Sequence, residues 1–177
     1  MICCGFIYNM LLSKSEILKL IKSGKIRITP FDKKNVGPAS IDLTLGDNFA
    51  IPIEGKEIEL TSNGDYKNYF REIKSKKIKL CPGDFILGIT QEKITLPENI
   101  AGILEGRSRF ARLGLLIHAT ASLIHPGISN KQVFEIKNIG KSKLILKKGL
   151  RLGQLSFLEV KGKAKYNGLF KKQERVK

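Results

Sequence analysis

No stretch of this chain approaches the roughly 18 consecutive apolar residues that a membrane-spanning helix needs, so the sequence predicts a soluble protein. The apolar run from Met1 to Leu12 lacks both a basic flank and a small-residue cleavage site. That makes it a poor secretory signal and leaves the cytoplasm as the expected location. Cysteine is scarce: Cys3, Cys4 and Cys81 are odd in number and two are adjacent, which gives neither a disulfide framework nor a C-x-x-C metal knuckle. They read as reduced thiols. Tryptophan is absent, and with abundant Lys, Ile and Leu this resembles thermophile usage. Internal repeats, low-complexity tracts and linkers are missing too. A single domain is therefore expected, and 42% hydrophobic residues among 177 suffice for its core.

Acidic residues are also in short supply, 16 against 32 Lys and Arg, for a formal net charge of +16. Such a charge suits nucleic acid, an acidic membrane surface or a polyanionic small molecule. The lysines are scattered from Lys14 to Lys177 with few aromatics among them, which argues against a nucleic-acid groove.

The chain itself reads as mostly strands. Ser13-Lys14-Ser15-Glu16 has the form of a capping box, with Leu12 and Ile17 placed for a hydrophobic staple. Ile17, Leu18, Leu20 and Ile21 then give one apolar face, and Gly24 stops the helix. After Ile26 to Thr29 and a turn-rich stretch, Ile41 to Gly46 alternates with period two, so Asp42 and Thr44 share a face. Asp42 on such a strand is either solvent-facing or part of a site. Ala50–Ile53, Glu57–Leu60, Lys77–Leu80, Phe85–Thr90 and Ile94–Leu96 follow as strand-like pieces, with Ser62 to Lys76 a polar surface loop. Ile100–Leu104, Leu115–Thr120, Gln132–Ile136, Leu144–Leu146 and Gln154–Val160 continue the pattern, which argues for an all-β sandwich or barrel.

One stretch breaks the alternation. Gly106-Arg107-Ser108-Arg109-Phe110-Ala111-Arg112-Leu113-Gly114 places three arginines within six residues among apolar neighbours. It reads as a tight turn feeding a short helix whose free N–H groups face an anion, phosphate being the natural one. The alternative is a solvated basic turn. Further on, Glu135 sits in Gln132-Val133-Phe134-Glu135-Ile136, where partial burial suits a carboxyl to proton exchange. Its alternative is an ion pair with a lysine across the sheet.

The segment G-R-S-R-F-A-R-L-G-L-L-I-H-A-T-A, with V-F-E-I-K-N after it and K-G-L-R-L-G-Q-L later, resembles the dCTP deaminase branch of the dUTPase superfamily. A-S-I-D-L resembles the superfamily's first motif, whose Asp, here Asp42, lies near the ligand. The resemblance runs from Met10 onward. It implies a mainly β, dUTPase-like β-clip or distorted jelly-roll, with an N-terminal helix and a short helix after the G-R-S motif. Residues 1–9 fall outside the pattern, Met10 looks like the family's usual start, 10–163 form the domain, and 164–177 a tail that covers the nucleotide.

The resemblance implies hydrolysis of dCTP to dUTP and ammonia, on the route that supplies dTTP, in a homotrimer with active sites at subunit interfaces. The ligands are thus nucleotides of the dCTP, dUTP and dTTP type, with Mg2+ carried by the triphosphate. The H-x-E or C-x-E and P-C-x-x-C signatures of zinc deaminases are absent, so the expected chemistry uses no zinc at the reacting carbon. It needs a carboxylate to take a proton from water and pass it to the ring and the departing ammonia, and a donor to steady the developing charge. Glu135 aligns with the family's catalytic glutamate, and Ser108 and Arg112 with the serine and arginine beside it. Substrate contacts are implied for Arg107, Arg109, Ala121 and His125. They are implied also for Val133, Phe134, Gln154, Tyr166 and Gln173.

Three positions depart from the family. Arg109 stands where a second serine is usual, and His125 replaces the Asp that in dUTPases holds the sugar and the attacking water. That loss argues against pyrophosphatase action, though a dUTPase or bifunctional enzyme remains an alternative, as does a non-catalytic nucleotide- or nucleic-acid-binding protein. In Tyr166-Asn167-Gly168-Leu169-Phe170-Lys171-Lys172-Gln173 the family's lysine is Leu169. Tyr166, Gly168 and Gln173 keep the spacing.

Overall fold

The computed structural model describes residues 11–61 and 65–177. Cys3, Cys4, the 1–9 extension, Met10 and the Ser62–Gly64 part of the expected loop lie outside those residues.

Helix α1 spans Lys14–Lys22 with Ser13 at its N-cap. The expected capping box does not form. Ser13 Oγ pairs with Ser15 Oγ at 2.8 Å, and Glu16 turns to Lys19 at 3.4 Å, because at this exposed end a neighbouring hydroxyl and an i,i+3 cation satisfy both groups. Leu12 and Ile17 are buried, as a staple requires. The helix ends where Ser23 N donates to Lys19 O and Gly24, at φ +72°, donates to Ile21 O.

The strands are β1 (Arg27–Thr29), β2 (Ser40–Pro52), β3 (Phe70–Lys74), β4 (Lys77–Leu80), β5 (Phe85–Thr95) and β6 (Ile100–Gly106). Helix α2 (Ser108–Ala111) is a single turn, followed by β7 (Leu115–Ile117), β8 (Leu123–Ile124), β9 (Ser129–Asn138), β10 (Leu144–Lys147) and β11 (Arg151–Glu159). Nine strands form one antiparallel sheet in the order β7-β9-β5-β2-β11-β6-β8, with β1 on β5 and β3 on β2, while β4 and β10 pair separately. The mainly β expectation holds.

Long β2 is what curls the sheet. Ser40 to Thr44 pairs with β11, whereas Leu45 to Ala50 pairs with β5, and the register shifts at the change of partner. Gly46 sits there because any Cβ would lie 2.8 Å from Ile89 O. Thr44 N, next to the switch, donates 2.9 Å to the carboxylate of Glu92, and Thr44 Oγ1 donates 2.6 Å to it. Glu92 is only 4% exposed, and burial pushes its pKa up. Inside the curl lie Phe49, Phe134 and Phe157 with Leu43, Leu45, Leu104 and Leu155.

Two local expectations fail. Glu57–Leu60 is not a strand: Leu60 is 92% exposed, and alternation without a partner edge gives the backbone nothing to pair with. Conversely, the expected polar loop contains a 3-10 turn at Tyr66–Tyr69 and then β3, which pairs with β2 from Asn48 to Pro52. Two pairs of short expected strands, 41–46 with 50–53 and 85–90 with 94–96, are in fact the single bent strands β2 and β5. No helix among the described residues is long and apolar enough to cross a membrane.

Candidate active site

Glu135 lies midway along β9, with Leu87 of β5 opposite it in register. Strand alternation turns Glu135 and Val133 to one face, into a cavity of about 500 Å3. Phe134 points the other way and is 0% exposed in the core, so its side chain does not line the cavity. No lysine answers Glu135. Its carboxylate accepts from Thr120 N at 3.1 Å and Thr120 Oγ1 at 3.3 Å instead. Leu87, not a lysine, faces it across the sheet, which removes the ion-pair alternative.

His118, one of the two histidines, frames the same acid. Its N–H donates 2.9 Å to Glu135 O, and its Nδ1 stands 3.4 Å from Glu135 N. The residue sits at φ +56°, a left-handed backbone uncommon for anything but glycine, where β7 ends and the chain swings Thr120 toward the carboxylate. Burial lowers the pKa of His118, opposed by the nearby charge of Glu135, so the ring favours its neutral form. His118 and Thr120 were not singled out from sequence. The strand-ending His-Ala-Thr within the motif was the available signal, but the turned backbone that aims both residues at Glu135 has no sequence signature.

The tail lines one side of the cavity. Tyr166 N donates to Pro126 O at 3.0 Å, and the Tyr166 ring stacks on His125, centroids 5.1 Å apart and planes 2° from parallel. Phe170 O accepts from Asn130 Nδ2, whose Oδ1 accepts from Gln132 Nε2 at 2.6 Å. Gln173 O then accepts from Lys131 N at 2.9 Å. Tyr166, Phe170 and Gln173 thus join Ala121, His125, Val133 and Glu135 around the cavity. His125 packs against the tail.

The arginine turn is elsewhere. Arg107 pairs with Asp42 at 3.1 Å and donates 3.0 Å to Arg151 O, and Arg151 itself reaches Asp42 at 3.5 Å. Asp42 is therefore the brace of the turn. Gln154 on β11 lies in register with Asp42 and Glu105, while Ser108, Arg109 and Arg112 are exposed on and just after α2. Gly114 at φ +83° packs so tightly on Gly140 that a Cβ would lie 2.5 Å from its Cα, which fixes the end of the turn. None of Arg107, Ser108, Arg109, Arg112 or Gln154 lines the cavity that holds Glu135, and no Lys or Arg does. Within one chain Glu135 and the arginine turn stand apart.

A curled antiparallel sheet with this strand order places the chain in the dUTPase-like class of β folds. Within that class the chain belongs to the dCTP deaminase-like family, which it matches over residues 11–160. It is 35% identical over 168 residues to a dCTP deaminase of Halorubrum lacusprofundi, covering 88% of this chain and 80% of that one. It is 36% identical over 158 residues to a protein of Beutenbergia cavernae named dCTP deaminase, dUMP-forming, covering 88% and 82%. Among solved structures, the 2'-deoxycytidine 5'-triphosphate deaminase from Agrobacterium tumefaciens superposes with a TM-score of 0.68 at 20% identity. That likeness of fold spans 86% of this chain and 48% of the other, about half its length.

Proposed function

We propose that this protein deaminates dCTP by hydrolysis, with Glu135 as the proton carrier. The observation that carries the reading is the Glu135 carboxylate, fixed by Thr120 on the wall of a cavity of about 500 Å3 under the tail. Glu135 takes a proton from water as the water oxygen bonds to C4 of the cytosine ring, and delivers it to N3. The second proton of that water goes to the exocyclic amine, the C4–N bond breaks, and ammonia leaves with uracil formed. Serine and arginine donors steady the charge that develops.

Those donors come from a second copy in this reading. The cavity wall carries no cation, whereas Ser108, Arg109 and Arg112 are exposed and unengaged on their own chain. A homotrimer in which Ser108 and Arg112 of the partner subunit face Glu135 brings the two halves together, and their arginines meet the triphosphate. Magnesium, in this reading, is carried by the triphosphate. A cytoplasmic place in deoxynucleotide metabolism, upstream of dTTP, fits this substrate.

A second reading is release of dUMP, since several relatives carry the name dCTP deaminase, dUMP-forming. His125 in the acid position, its ring given over to Tyr166, favours dUTP as the product. Incubation with dCTP and, separately, dUTP, with ammonia and pyrophosphate assayed in parallel, tests both. Ammonia without pyrophosphate is expected; neither product from dCTP overturns the deaminase reading.

A further inference from the structure

We propose that Val176, the penultimate residue, is the anchor that positions the tail over the site of its own subunit. From Lys161 to Lys177 it is the only buried residue, at 0% exposure, and charged Arg175 and Lys177 flank it. Its side chain enters a separate apolar cluster with Ala50, Leu87 and Ile89. Its backbone is held on both sides: Val176 N donates 3.0 Å to Asn48 Oδ1, and Tyr66 Oη donates 2.6 Å to Val176 O. Lys177 Nζ adds a bond of 2.8 Å to Phe70 O, and Glu174 pairs with Lys93.

The socket and the cavity share a wall. Tyr66, Phe70, Phe85, Leu87 and Val133 pack around the Val176 cluster and also line the space beside Glu135. Leu87 faces Glu135 directly in register. The strap is thus pinned at its near end by Tyr166 on His125 and at its far end by Val176. Between the two pins Phe170 and Gln173 lie over the cavity, their carbonyls accepting from Asn130 Nδ2 and Lys131 N of β9. Seating Val176 does two things at once: it sets where Phe170 and Gln173 lie, and it closes the β5 side of the cavity to water. Val176 is a positioning residue, not a catalytic one, and the kinetic part of this inference rests on the deaminase reading.

The test compares the wild-type chain with Val176→Ser, Val176→Ile and a chain lacking residues 176–177. Its first readout needs no nucleotide: the rate of tryptic cleavage after Lys171 and Lys172, located by mass spectrometry, with hydrogen exchange at Lys131 N, which bonds the tail at Gln173 O. Val176→Ser and the truncation should speed cleavage roughly ten- to a hundredfold, the ratio corresponding to one buried valine side chain. Val176→Ile, which keeps a branched apolar knob, should stay near wild type. The second readout is the steady-state rate with dCTP, where the same two variants should raise KM by a similar factor while kcat falls little. Cleavage and exchange unchanged by serine or truncation overturn the anchor, whatever the enzyme turns over. A KM for dCTP unchanged while the tail is loosened also overturns it, because the strap then positions nothing. Absence of dCTP turnover in the wild type condemns the deaminase reading instead and leaves the proteolytic result to decide the anchor.

Discussion

The ring of Tyr166 lies flat on the ring of His125, 5.1 Å between centroids and 2° from parallel, so the tail begins its course over the cavity on that histidine. A stacked pair of this kind contributes roughly 0.5–1.5 kcal/mol beyond its buried area. Replacing His125 by Ala should therefore loosen the near end of the tail and raise KM for dCTP by a few-fold to about tenfold. His125→Phe, which keeps a ring, should hold KM near wild type. If Phe and Ala behave alike, the stack is incidental and the imidazole has a ligand contact of its own.

His125→Asp places an acid at this position at the cost of the stack. It should keep deamination at a raised KM. Pyrophosphate release appearing in this variant but not in the wild type would show that the histidine is what withholds hydrolysis of the triphosphate.

Glu135→Gln keeps the shape of the side chain and an acceptor for Thr120, but it cannot shuttle a proton. Turnover should drop by on the order of 10² to 10⁴ with dCTP binding nearly intact. Calorimetric binding together with ammonia release checks both halves of that statement. Wild-type turnover in this variant rules out the proposed chemistry.

A shared site predicts complementation between two dead enzymes. Glu135→Gln and Arg112→Ala chains, each inactive alone, should regain activity when unfolded together and reassembled. About one interface in four then carries both an intact glutamate and an intact arginine, by random assortment around a ring. No recovery in mixed oligomers confirmed by mass spectrometry places both residues on one chain's site and overturns the interface reading.

The pH dependence of stability should carry the mark of His118. Its folded pKa is lowered by burial, so between that value and the unfolded value of about 6.5 the unfolded chain binds the extra proton. Stability from this group is therefore fully present above about pH 6.5 and is lost as pH falls through the folded pKa. His118→Asn, which keeps an acceptor for Glu135 N but does not titrate, should flatten the slope of the denaturation midpoint between about pH 5 and 7. Equal slopes in the two proteins remove His118 as the cause.

Gly114→Ala is expected to destabilise the fold by more than about 1 kcal/mol, from a positive φ and a backbone clash that no side-chain rotation relieves. Urea denaturation measures it. A variant as stable as wild type means that the Gly114–Gly140 contact yields more readily than its geometry suggests.

The sequence by itself determined what depends on neighbours along the chain. Period-two alternation located the strands β4, β9 and β11, because a strand half buried in a sheet must alternate whatever it pairs with. The arginine-serine motif and Glu135 were equally legible as candidates, since charged residues set among apolar ones stand out in any fold. Alternation alone, however, made a strand of Glu57–Leu60, which finds no edge to join, and missed β3, which β2 supplies with one.

Tertiary structure alone decided the rest. Which strand pairs with which is a matter of distant partners, and so β2 could bend from β11 to β5 only once Glu92 and Gly46 met Thr44 and Ile89 across the sheet. The same dependence put the arginine turn and Glu135 in separate places on one chain, although they are 23 to 28 residues apart in sequence numbering and read as one motif. It also gave Val176 its place. Its two backbone partners, Tyr66 and Asn48, are 110 and 128 positions away, and a lone valine between two charges carries no local signal that an apolar socket is waiting for it. Local sequence fixes which face of an element is apolar, but what that face is buried against depends on loop closures that only the folded chain completes.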